Sequence, residues 1–258
     1  MRLLKQKSVG ISINGSSIRA VVLYGTKKEI SLGQFESIAL PDGTINGDEI
    51  KDYKEIKKAL LVLKKKIGFS KAVLSAQKPE TDLFREIGVR ISWFESPLES
   101  SARAIVKNGD KEIFMLVEIG MTGSTVSVFD HGEICYAKDI GINATLLEDV
   151  IRRRWGMDLF YEEINRHYVD WHLAGGKKDE IVKSGASKKI KKVLIYGDAR
   201  DLATLSAYLT TNMRTTVALG NAWVNIVESF DKTIPEMTFD ESLGFTPAIG
   251  AALKGLEI

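Results

Sequence analysis

Cysteine is almost missing from this chain of 258 residues. Cys135 stands alone, which excludes an intramolecular disulfide and a thiolate metal cluster. Charge of one sign is missing too: 36 lysines and arginines face 34 aspartates and glutamates, a balance that argues against a general nucleic-acid binder. No apolar run approaches the ~20 residues that span a bilayer. The nearest, "IFMLVEIG", is broken by Glu118, and "MRLLKQKS" is too short to read as a signal peptide. Histidine is sparse. His167 and His172 do not share a helix face and His131 sits in a turn, so no metal pair and no Ser–His–Asp system is expected. Low-complexity segments and long linkers are also missing. With 44% hydrophobic and 27% charged residues, the expectation is a globular cytoplasmic protein.

What is present is a repeat. "VGISINGSSIRAVVL" reads as a strand over 8–13, a turn at Asn14–Ser16 and a strand over 17–24, followed by a third strand over 29–39. Asp52 then caps a helix, with Glu55 placed for a capping box and Ile56, Ala59, Leu60, Leu63 and Ile67 on one stripe. "LVEIGMTGSTVSVFD" begins the same series again: strand, "GMTG" turn, strand, and a third strand in "EICYAKDIGI". A helix capped by Asn143 or Thr145 follows, with a stripe of Leu146, Leu147, Val150, Ile151 and Trp155. Three antiparallel strands and a helix, twice, predict an internal duplication: two similar α/β domains facing each other across a cleft. Between the copies lie a short helix over 80–87, a strand over 89–93 and a helix after Pro97. After the second come charged helical segments, the strand "KVLIYG", a helix from Asp201, the strand "TTVAL" and a closing helix over 247–256.

Glycine-containing turns between strands direct backbone N–H groups outward, where they and serine or threonine hydroxyls hold phosphate oxygens. In one turn alone, glycine is more often turn chemistry. Order and repetition carry more weight. The motifs "VGISINGSSIRAVVL", "IALPDGTINGDEIKDYKEIKKAL", "LVEIGMTGSTVSVFDHGEICYAKDIGI", "VLIYGDARDLATLSAYL" and "LGFTPAIGAALKGLEI" together resemble the actin-like ATPase superfamily. Within it they resemble the type IV pilus assembly PilM family, relatives of the cell-division protein FtsA. The resemblance implies an α/β, actin-like (ribonuclease H-like, duplicated) two-domain fold with a central cleft. The first domain would cover 1–112, closed by a helix over 243–258, and the second 113–242. The nucleotide-binding positions it implies are Ser12, Asn14, Gly15, Ser16, Ser17, Glu118, Gly120, Thr122, Gly197 and Asp198.

Several of these depart from the family pattern. Ser12 stands where an aspartate helps hold Mg²⁺, and serine supplies no negative charge. Asn14 replaces a glycine, Glu118 replaces an aspartate with a longer side chain, and Asp198 sits where glycine lets the backbone approach the nucleotide. Ser96 stands where a glutamate orients water, with Glu95 and Glu99 displaced beside it. Phosphoryl transfer depends on positioning and charge neutralisation, so the expectation is ATP bound weakly or not at all, Mg²⁺ poorly held, no catalytic residue and no metal site. The family's inserted subdomain is expected to be missing or reduced to one short helix after "KAVLSA". The resemblance implies a cytoplasmic scaffold at the inner face of the inner membrane, binding the cytoplasmic tail of a membrane assembly protein such as PilN. The aromatics of "GVRISWF" and the stretch "VLSAQKPE" mark the surface such a tail would use, although both aromatics also suit a core. Trp93, Trp155, Trp171 and Trp223 read as core or interface residues. The lysines of "GGKKDEIVKSGASKKIKK" suit a solvated segment more than a lipid contact. Rival readings are an active actin-like ATPase or small-molecule kinase, an FtsA-like division protein, and a cytoplasmic domain of the GspL kind.

Overall fold

The computed structural model describes residues 5–26, 29–47, 49–173, 189–226 and 236–256. Two compact units emerge, Met1–Asn108 with Asn221–Ile258, and Gly109–Gly220. The lysine-rich stretch after Leu173 lies largely outside the described residues.

The first unit is built on β1 (Gln6–Ile13), β2 (Ser17–Thr26) and β3 (Glu29–Ala39), joined as antiparallel neighbours. A two-residue ladder, β4 (Ile45–Asn46) with β5 (Glu49–Ile50), leads to α1 (Tyr53–Ile67). Asp52 caps α1 by accepting from Lys54 N and Glu55 N, and the five predicted stripe residues are its buried face. The capping box is only half formed, since the Asp52 N–H donates to Thr44 O. Then come β6 (Lys71–Ser75), α2 (Thr81–Glu86), β7 (Arg90–Glu95) and α3 (Pro97–Ile105), with β6 parallel to both β1 and β7. The sheet order is β3-β2-β1-β6-β7. Only α2 lies between β6 and β7, so that connection carries no folded insertion.

The second unit repeats the plan. β8 (Phe114–Ile119), β9 (Ser124–Asp130) and β10 (Glu133–Ile140) are antiparallel. α4 (Ala144–Arg153) and α5 (Met157–Leu173) follow, then β11 (Lys192–Gly197), α6 (Leu202–Asn212) and β12 (Thr216–Leu219), with β11 parallel to β8 and β12. Its sheet order, β10-β9-β8-β11-β12, reproduces the first. Asn143, not Thr145, caps α4, accepting from Leu146 N at 2.9 Å. Trp155 departs from the expected stripe. Arg154 takes a left-handed conformation (φ 58°) that ends the helix, and Trp155 is left 69% exposed. Trp93 is exposed as well, whereas Trp171 is buried.

α7 (Phe239–Gly244) and α8 (Thr246–Lys254) complete the first unit. β1 is buried on both faces: Val9, Ile11 and Ile13 join the α1 core, while Gly10 faces α8. The approach is close enough to require glycine. A Cβ on Gly10 would lie 2.1 Å from Ala248 O, and one on Gly250 would lie 1.7 Å from Ser100 O of α3. Asn225 ties residues 221–226 to this unit. Its Nδ2 donates to Arg103 O and Val106 O, each at 2.8 Å, and its Oδ1 accepts from Asn108 N at 2.8 Å.

Candidate functional site

The first turn closes on itself. β1 and β2 pair as far as Ile13 and Ile18, leaving Asn14, Gly15 and Ser16 to reverse the chain. Asn14 Oδ1 accepts from Ser16 N at 3.1 Å and Ser17 N at 2.8 Å, and from the two serine hydroxyls at 3.3 and 3.2 Å. The donors that would face a phosphate oxygen therefore converge on a carboxamide oxygen of the same turn. An Asx turn explains the local preference, and glycine at position 14 would have no oxygen to offer.

Ser12 is buried at the end of β1, on the face shared with Gly10, in register with Ser75 of β6, which is in register with Glu95 of β7. Sequence reasoning missed Ser75, whose buried Oγ has no hydrogen-bond partner among the described residues. Glu95 is the one carboxylate in this row, and it is committed. Its Oε1 accepts from Ser100 Oγ at 2.6 Å and from the Arg103 guanidinium. Ser96 and Glu99 form the capping box of α3. Glu95 and Glu99, which flank Ser96, thus both bond to groups of α3 or its cap.

The second cluster lies where β8 and β11 end. Gly120 O accepts from Ala144 N of α4 at 2.9 Å, and a Cβ on Gly120 would lie 2.4 Å from Gly123 O, so the "GMTG" turn needs its glycine. Thr122 is exposed in that turn. Gly197 has φ 127°, and a Cβ there would lie 2.4 Å from Ile119 O. The Asp198 N–H donates to that same Ile119 carbonyl at 2.9 Å. Glu118 is half-buried, in register with Tyr196, whose hydroxyl donates to its Oε2 at 3.5 Å. The structure therefore gathers Ser12, Asn14, Gly15, Ser16 and Ser17 at one turn of the first unit. It gathers Glu118, Gly120, Thr122, Gly197 and Asp198 at one end of the second sheet. Glu118 and Asp198 are the acidic side chains that the second cluster offers a cation; the first turn offers none.

Two five-stranded sheets, each ordered 3-2-1-4-5 when its own strands are counted along the chain and each with the same mixture of antiparallel and parallel pairs, make an actin-like fold. Solved structures agree. The chain is similar to one in a PilM–PilN type IV pilus biogenesis complex (TM-score 0.66, 13% identity, 97% of this chain and 99% of that one). It is also similar to the ethanolamine utilization protein EutJ from Carboxydothermus hydrogenoformans (TM-score 0.61, 15% identity, 98% of this chain and 91% of that one). No protein-family model and no curated protein sequence matches the chain.

Proposed function

We propose that this protein is a scaffold of a type IV pilus inner-membrane assembly platform. It takes up the cytoplasmic tail of a membrane assembly protein of the PilN kind and turns over little or no ATP. The observation that carries this reading is the likeness, along nearly the whole of both chains, to the chain from a PilM–PilN complex. The site chemistry supports it. Ser12 gives Mg²⁺ no charge, the first turn's donors are occupied by Asn14, and Glu95 is held by Arg103. Such a scaffold works in the cytoplasm at the inner face of the inner membrane, and no helix among the described residues is long and apolar enough to cross one.

The tail adds as a strand to β7, which ends the first sheet. Trp93 on β7 is 54% exposed, with Lys254 Nζ 5.1 Å from the centre of its ring. Ala76, at the end of "VLSA", is buried and bonded through its N–H to Glu95 O, so it is part of the support and not of the docking surface. Calorimetry with a peptide of the co-encoded membrane protein's tail tests the reading. A Trp93→Glu variant is expected to bind at least tenfold more weakly, since a buried aromatic anchor dominates such contacts. Unchanged affinity removes β7 as the site. Steady Mg-dependent ATP turnover favours an active ATPase or kinase instead. The likeness to EutJ supports one rival, a protein of ethanolamine utilisation, for which the pilus tail would not bind at all.

A further inference from the structure

α1 carries two stripes of the same period. The inner one, Ile56, Ala59, Leu60, Leu63 and Ile67, is buried in the first unit. The outer one is Lys54, Lys57, Lys58, Leu61, Val62 and Lys65, and it forms a shallow surface of its own. Leu61 is 46% and Val62 39% exposed, side by side in the middle of the helix, with lysines on both sides along the stripe. Two of these lysines are balanced: Lys57 pairs with Glu86 at 2.8 Å and Lys58 with Glu55 at 3.3 Å. The ammonium groups of Lys54 and Lys65 have no acidic partner among the described residues.

We infer that this outer face of α1 binds an anionic lipid surface, independently of the pilus reading above. The composition chooses between occupants. The cores of protein–protein interfaces are depleted of lysine and enriched in aromatics, and this face has four lysines and no aromatic. A single apolar pair is also too short for a helix-pairing seam, which needs apolar positions repeated over several turns. A planar membrane asks for less. Two aliphatic side chains enter the headgroup boundary, while lysines lay their stems along it and keep their ammonium groups among lipid phosphates. Unpaired Lys54 and Lys65, at opposite ends of the stripe, supply the attraction that salt screens.

Vesicle co-sedimentation of the full chain tests this. Phosphatidylcholine vesicles containing phosphatidylglycerol are expected to retain the protein at low salt and release it at high salt, and phosphatidylcholine alone is expected not to retain it. A Lys54→Glu/Lys65→Glu variant is expected to lower partitioning about tenfold or more. Leu61→Ser/Val62→Ser is expected to lower it as well. All four positions are exposed, and a circular dichroism melt matching wild type shows that each variant is folded. A comparison variant replaces Lys177, Lys178, Lys183 and Lys188 by glutamine. Loss of binding in that variant alone, wild-type binding in both α1 variants, or no retention of the wild type overturns the inference.

Discussion

Replacing Asn14 separates two roles of the first turn that the wild-type chain combines. In Asn14→Ala the four donors that converge on Oδ1 lose their acceptor. The two backbone bonds are well formed and worth about 1 kcal/mol each, while the longer hydroxyl contacts re-form with water at small cost. The expected loss is about 2 kcal/mol. For a chain of this length that lowers Tm by about 4–8 °C. Asn14→Asp keeps the acceptor, strengthens it with charge, and is expected to melt at or above wild type. Phosphate binding should follow a different order. Asn14→Gly frees the Ser16 and Ser17 donors and is expected to bind ATP or tripolyphosphate more tightly than wild type. Asn14→Asp places a negative charge among those donors and is expected to bind more weakly. Thermal melts and calorimetry with both ligands measure these orders. A wild-type Tm in Asn14→Ala, or tighter phosphate binding in Asn14→Asp than in Asn14→Gly, refutes the reasoning.

Gly250→Ala forces a Cβ to within 1.7 Å of Ser100 O, so α8 must part from α3. The expected cost is about 3 kcal/mol, seen as a denaturation midpoint well below that of an exposed control such as Gly141→Ala, where a Cβ meets nothing within 4 Å. Ser12→Asp with Asn14→Gly restores a carboxylate and an open turn together. Nucleotide affinity is expected to become Mg²⁺-dependent in this variant, and calorimetry showing no difference with and without Mg²⁺ removes the view that the turn is a decayed metal–phosphate site. His167 is buried on α5, 2.6 Å from the Tyr136 hydroxyl, and burial holds its imidazole below the ordinary value of 6.5. The unfolded chain therefore takes up its proton first. Stability is full above about pH 6.5 and falls as the pH drops from there towards the lower folded value. His167→Gln is expected to flatten that part of the urea-midpoint profile, and an unchanged slope shows that other groups set it.

The elements whose signals are local were legible from the residues alone. The β1–β2–β3 series and the stripe of α1 rest on period, and the cap of α4, narrowed to Asn143 or Thr145, rests on a side chain reaching a few positions along the chain. The capping box Thr238–Glu241 that starts α7 is an equally local signal, although α7 is not among the elements expected above. Trp155 was misplaced because a left-handed arginine ended α4, and only glycine announces that conformation clearly. Long-range registers carry no local signal. Ser75 and Glu95 join Ser12 only through parallel strand pairing, and Asn225 reaches carbonyls far back in the chain. At the candidate site, Asn14 was recognisable as a departure from glycine. Its convergence of four donors depends on the turn's geometry and was not.

The first unit is discontinuous, with β1 made before the second unit and α8 after it, whereas Gly109–Gly220 is one uninterrupted stretch. During translation the second unit has all its strands before α8 exists, so the unit begun later is finished earlier. Until α8 is made, one face of β1 and the α3 surface around Ser100 stay uncovered on the nascent chain. During that interval, set by the time needed to synthesise the intervening unit, the uncovered surface is open to misassociation. A fragment ending at Gly220, released from the ribosome, would show a protease-resistant second unit beside a cleavable first.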